Sequence, residues 1–195
     1  MKLKNIILSG LFVSVLISCE GVTDISPKDS LTDASYWSKV EDLKLYANNL
    51  YTNLSAPGVD KDNVSDNCIT TNYSSYLFNE TTIPSTASEA GWTWGNIRNC
   101  NFFLTRYQKV QAAPSEVNPY VAEVRFFRAL DYFGKIKQFG DVPWYDKDLQ
   151  TADTDELYKP RDTRDFVLGK IIEDLEFAIQ WLPDADKAEK GRLNK

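Results

Sequence analysis

The stretch Ala122-Glu123-Val124-Arg125-Phe126-Phe127-Arg128-Ala129-Leu130-Asp131-Tyr132-Phe133 decides how the chain is read. Within it Ala122, Phe126, Ala129, Leu130 and Phe133 recur at three- and four-residue intervals, which puts them on one stripe of a helix. Upstream, Asn118 is expected to cap that helix and Pro119 to take its first position, where a missing N–H is no loss. Downstream, Gly140 ends it and Asp141-Val142-Pro143 turns the chain away. Full burial of a large apolar side chain contributes about 1.5–3 kcal/mol, so a stripe of this kind is enough to dock a helix.

Working outward, the same period appears elsewhere. Ser38 and Glu41 have the spacing of a capping box, and Leu43, Ala47, Leu50, Tyr51 and Leu54 follow at helical intervals up to Pro57-Gly58. The first helix is therefore expected over roughly 38–54. A second, over roughly 91–110, places Trp94, Ile97, Asn101, Leu104 and Tyr107 near one face. A last helix over about 163–182 carries Phe166, Ile171, Leu175, Ala178, Ile179 and Leu182 before Pro183. No stretch sustains the alternation of a strand, so the chain reads as all-α. Helices with two long connections close as a bundle, or they form the first layers of an array that leaves an apolar face open.

Composition narrows the function classes. The chain has 195 residues, 43% hydrophobic and 26% charged, a balance that argues against wholesale disorder. Its formal charge of -6 is opposite to what phosphate backbones require, so nucleic acid is not an expected partner. Histidine is absent. That removes His-ligated zinc and every nucleophile system built on imidazole, and no cofactor or metal is expected. Two-carboxylate glycoside hydrolysis survives as a possibility, since it needs only acids.

The N-terminus carries an address. Lys2 and Lys4 precede an apolar run from Ile6 to Ile17, too short to span a bilayer and suited to a signal-peptide core. It ends in Leu16-Ile17-Ser18-Cys19, the spacing of a bacterial lipobox, which makes Cys19 the expected lipid attachment site. Residues 1–18 are then a lipoprotein signal peptide, 19–34 a lipidated tether, and 35–195 the helical domain. Several acyl chains on one cysteine, each buried methylene contributing about 0.8 kcal/mol, hold a protein on a membrane without crossing it. Of the remaining cysteines, Cys68 and Cys100 either form one disulfide or stand as a loop thiol and a buried helical thiol.

Taken in order, these pieces resemble the SusD/RagB family of Bacteroidetes outer-membrane nutrient-binding lipoproteins. Asp24-Ile25-Ser26-Pro27 with Tyr36-Trp37 is similar to the family's opening, and Ile97-Arg98 with Asn101 to its second helix. The block from Ala122 to Leu130 with Tyr132-Phe133 and Phe139-Gly140-Asp141-Val142-Pro143 is its most recognisable part, followed by Asp174-Leu175, Ala178 and Leu182-Pro183. The resemblance implies tetratricopeptide-like helix pairs with long irregular loops. It also implies a binding protein rather than an enzyme, one that captures glycans or other nutrients at the cell surface and delivers them to a SusC-like TonB-dependent transporter. Family members run to two or three times this length, so the chain is expected to be an N-terminal portion. A protein-binding helical scaffold is the alternative reading, and an exported carboxylate-dependent glycoside hydrolase a further one.

Ligand contacts in this half of the family tend to come from the loop between the first two helices, which points to Asp66, Asn72, Tyr73, Tyr76 and Asn79. Their chemistry suits a sugar, whose C–H face packs on an aromatic ring and whose hydroxyls need amide or carboxylate partners. The Asn-X-Ser/Thr triplets at Asn53, Asn63, Asn72 and Asn79 read as loop composition. Trp92 and Trp94 sit at a helix start and are expected to pack rather than to stack on ligand. Arg125 and Arg128 either hold an anion, pair with acids such as Glu123, or lie along the surface between helix pairs. Glu173 and Asp174 point in different directions on a helix and make a poor catalytic pair.

Overall fold

The computed structural model describes residues 36–54, 64–65, 68–69, 71, 77–80 and 82–195. The chain divides after Tyr36, and the helices among the described residues belong to the unit Trp37–Lys195. The expected signal peptide, Cys19 and the expected tether lie outside the described residues, as does the opening block Asp24 to Pro27. The helices are α1 (Val40–Leu50), α2 (Gly95–Leu104), α3 (Pro114–Phe139), the short α4 (Thr154–Leu157) and α5 (Arg164–Trp181). The connection after α1 carries a two-residue antiparallel pair, β1 (Val64–Ser65) with β2 (Cys68–Ile69), which the all-α reading does not include. The fold is otherwise helical, as expected.

Helices α1, α3 and α5 start where the chain supplies an acceptor for amides of the first turn. At α1 this is not Glu41. The Asp42 carboxylate accepts from the amides of Ser38 and Lys39 at 3.1 and 3.0 Å, and its pKa is lowered by those bonds despite some burial. At α5 the Thr163 hydroxyl accepts from the Phe166 amide at 3.4 Å. The start of α3 departs most from expectation. It lies at Pro114, with the Glu116 carboxylate accepting from the Ala113 amide at 3.2 Å, and Asn118 and Pro119 are inside the helix. Pro119 is tolerated because the carbonyl it leaves unpaired, that of exposed Ser115, can turn to water.

Helix α3 is central. It packs along α5 and also against α2 and α1. One core joins Ile97 of α2, Ala129, Tyr132 and Ile136 of α3, Val142 and Trp144 of the following loop, and Val167 and Ile171 of α5. A second gathers Ala122, Ala178 and Leu182 under Phe126, Phe177, Trp181 and Leu193. Between α1 and α2, Trp37, Tyr46, Phe102 and Phe103 form an aromatic knot with centroid separations of 5.4–6.1 Å. Because α3 has neighbours on most sides, its buried set is wide and includes Val117, Val121, Val124 and Phe127.

The expected stripe on α3 is only half right. Ala122 and Ala129 are buried, whereas Leu130 and Phe133 are 44% and 47% exposed. On α5, Phe166 and Ile179 are likewise exposed, and Val167 takes the buried position instead. Together with exposed Leu168 and Ile172, these residues leave apolar stripes open on α3 and α5.

Four buried polar residues, Asn101, Glu123, Arg128 and Asp174, are paired. The Arg128 guanidinium grips Asp174 through two bonds of 2.7 and 2.8 Å and donates a third, 2.9 Å, to the Asn101 side-chain oxygen. Glu123 pairs not with Arg125 or Arg128 but with Arg192, at 2.9 Å. Arg192 also bonds the Asn48 side chain, and the Leu193 amide donates to the Tyr51 hydroxyl at 3.0 Å, so the last residues are strapped across α1 and α3. Burial raises the Tyr51 phenol to about 12 and the Glu123 carboxyl above its ordinary value. Asp174 is buried while neighbouring Glu173 faces Lys170 in solvent, which agrees with reading them as no pair. Cys100 is a buried free thiol, its pKa raised to about 12 by burial. Of the two readings for this cysteine, the buried helical thiol is the one found.

Candidate functional site

The site grows from two bends of the chain. The first is the turn over Ser85–Trp92. Glu89 accepts from the Ser85 amide and hydroxyl at 2.9 and 2.8 Å, bonds that hold its pKa low, and the Trp92 amide closes the turn on the Ala87 carbonyl at 2.8 Å. Gly91 makes the reversal with φ of 75°, and a Cβ there would come within 3.1 Å of Gln138. The Gln138 amide in turn donates to the Ala90 carbonyl at 2.7 Å, pinning the turn to the end of α3. This geometry sends Trp92 and then Trp94 off the start of α2.

The second bend follows α3. Gly140, with φ of 70°, releases the chain, and Val142 pairs with Asp162 as an isolated bridge. The Trp144 amide donates to the Asp162 carboxylate at 2.8 Å. Tyr145 is then fixed at its backbone. Its carbonyl accepts from the Asn101 amide at 2.7 Å, and its amide donates to the Tyr132 hydroxyl at 2.6 Å. The Tyr145 hydroxyl donates to the Leu157 carbonyl at 3.1 Å, which ties α4 to the same point. Burial raises the phenols of Tyr132 and Tyr145 above their ordinary range, so both stay protonated donors.

Between the bends lies a cavity of about 360 Å³. Trp92, Trp94 and Tyr145 give it aromatic walls, Ile97 and Asn101 a floor, and Leu149, Gln150, Thr151 and Leu157 the far side; Arg98 and Lys147 complete the lining. The rings meet edge to face, Trp92 to Trp94 and Trp94 to Tyr145, each at 5.2 Å. Trp92 also stands on Phe139 at 4.8 Å. The two tryptophans therefore pack, as expected, and in packing they become a rigid wall. A cavity of this size with few polar groups set among aromatic rings is the ordinary form of a small-ligand site.

Its polar part is held by the buried network. Arg128 fixes Asn101, Asn101 fixes the Tyr145 carbonyl, and Tyr132 holds the amide of the same residue. The flat rings suit a C–H face, and the amide, hydroxyl and cationic groups suit hydroxyls and anions. No carboxylate lines the cavity, so a two-acid hydrolysis has no acid pair there. Among the described residues no group of His, Cys, Asp or Glu could hold a metal ion.

Of the residues proposed from sequence, Asp66, Asn72, Tyr73 and Tyr76 lie outside the described residues. Asn79 is described, exposed at φ of 55° in a turn, and does not line the cavity. The loop after α3 is a wall that sequence reasoning misses. The available signal is the aromatic pair Trp144-Tyr145 directly after the turn at Pro143.

Fold and cavity together define a helical-repeat protein with an aromatic-walled cavity of small-ligand dimensions. Residues 23–195 match the SusD-like family described as "Starch-binding associating with outer membrane", and the chain belongs to that family. It is 27% identical over 190 residues to SusD-like protein P38 of Formosa agariphila, covering 91% of this chain and 37% of that one. A SusD-like protein of Bacteroides fragilis superposes with a TM-score of 0.68 at 28% identity, over 87% of this chain and 35% of its own. A laminarin-binding SusD-like protein shares the fold at a TM-score of 0.55 and 20% identity, over 81% and 38%. The chain thus spans little more than a third of the length of these relatives.

Proposed function

We infer that the protein binds a glycan, with the Trp92–Trp94–Tyr145 cavity as a contact site. The carrying observation is that three aromatic side chains and a buried, hydrogen-bonded amide converge on one preformed space. Membership of a starch-binding family and a fold shared with a laminarin binder support the same ligand class. In Trp92→Ala, the affinity for whichever oligosaccharide binds in a panel of neutral and acidic glycans falls at least about tenfold, as expected when an aromatic anchor is removed. Leu149→Trp, which fills the cavity without removing a wall, has the same effect. Unchanged affinity in both variants, with native circular dichroism, overturns the assignment.

The wider role follows the family pattern: a lipoprotein anchored through Cys19 on the outer membrane, surface-exposed, that passes its glycan to a SusC-like TonB-dependent transporter. Asp66, Asn72, Tyr73, Tyr76 and Asn79 remain its proposed further ligand contacts. In cells, Cys19→Ala abolishes palmitate labelling and, with it, co-purification of a large β-barrel. Retention of the label overturns the anchor, and a solitary wild-type monomer in mild detergent overturns the partnership.

A further inference from the structure

The charge of the cavity singles out one ligand class, an inference that rests on the glycan reading above. The whole chain is acidic, at -6, yet the cavity lining contains Arg98 and Lys147 and neither Asp nor Glu. Asp148, next in sequence to Lys147, does not line this space; its side chain is 7% exposed and paired with Arg106 at 2.7 Å. Arg98 lies 4.0 Å from the other Asp148 oxygen, beyond hydrogen-bond distance, with two thirds of its side chain open to solvent.

Cations also stand over the wall rings, and acids accompany two of them, Asp131 near Lys135 and an acid pair at Lys159. Arg161 lies 4.7 Å from the Trp92 ring centre, Lys135 4.8 Å from Trp94, and Lys159 5.1 Å from Tyr145. Glu156, at 2.8 Å, and Asp162, at 3.7 Å, balance Lys159. A cation over each ring draws on the negative face that would otherwise favour a neutral C–H surface. Opposite charge focused in a concave, partly apolar space raises the local concentration of an anion.

We propose that the cavity selects glycans bearing an anionic group, a uronic-acid carboxylate or a sulfate ester, over neutral glycans of the same backbone. Arg98 and Lys147 contact the anion, while the rings hold the sugar that carries it. The guanidinium fork matches either oxyanion through paired hydrogen bonds.

Titration calorimetry on the full chain tests this with two matched pairs. One is oligogalacturonate against the same oligomer fully methyl-esterified; the other is a sulfated galactan oligomer against its desulfated form. The anionic member of one pair binds about two- to thirtyfold tighter, the range two partly exposed ion pairs supply. The pair that shows the gap identifies carboxylate or sulfate. The gap closes in Arg98→Gln/Lys147→Gln and shrinks in about 0.5 M salt, where screening is strong. Equal binding within both pairs, or a preference that survives the double substitution, overturns anionic selectivity and leaves glycan binding standing. Absence of binding by these four and by every neutral glycan of the panel overturns both.

Discussion

Arg128→Ala lowers the stability of the protein by about 3–5 kcal/mol, read from urea unfolding followed by circular dichroism. Arg128 and Asp174 are 7% and 2% exposed and joined by two short bonds. Removing the cation leaves the buried Asp174 carboxylate with only Arg125, 3.7 Å away and beyond hydrogen-bond distance, and that under-compensated charge dominates the loss. Asp174→Ala strands the guanidinium with a similar effect. The double variant Arg128→Met/Asp174→Leu recovers most of the loss, because apolar residues of similar volume replace a buried pair at little net difference. A single-variant loss below about 1 kcal/mol would mean that the pair is solvated in solution. The same substitution frees Asn101 and through it Tyr145, so glycan affinity falls with stability in Arg128→Ala.

Phe103→Ala and Phe133→Ala remove the same atoms with very different results. Phe103 is fully buried, touching Trp37, Tyr46 and Tyr107 at ring separations of 5.5–6.1 Å. Its truncation loses transfer energy and opens a cavity, about 3–5 kcal/mol in total. Phe133 is 47% exposed on the open side of α3, and its truncation stays within about 1 kcal/mol. Both values come from denaturant midpoints at constant m. A comparable loss at Phe133 would show that this face is covered in solution.

That contrast marks the limit of what residue periods can tell. The period around Ala122–Phe133 locates a helix and its two small buried positions. It does not tell that Leu130 and Phe133 face outward while Phe127 and Val124 face inward, because α3 is gripped by three neighbours and a single stripe does not describe its burial. The start of α3 falls a turn earlier than expected for a local reason: Pro119 is a good first residue, but Pro114 is one too, and Glu116 supplies the acceptor. At α1 the capping acid is Asp42 rather than Glu41 because its shorter side chain sits at the position that reaches both free amides.

The candidate site is legible in the sequence only in part. Trp92 and Trp94 stand out, and their packing is foreseeable from their place at a helix start; their role as a wall is not. Tyr145, Leu149 and Lys147 lie some fifty residues further on, in a loop without periodicity, and nothing local relates them to the tryptophans. The link is made by Asn101 and Tyr132, whose side chains hold the Tyr145 backbone from two different helices. Arg128 reads as a charge in search of an acid, and Glu123, nearer in sequence, is the natural suggestion. The acid it finds is 46 positions away.

The sequence by itself determined the helical class, the order of the long helices, the family, and an expected lipid address, because these depend on periods and short motifs that neighbouring residues set together. Only the tertiary structure decided which faces are closed, which charges are mated and where a ligand has room. Those outcomes depend on which distant segments meet, and a buried contact has its energy from both partners at once.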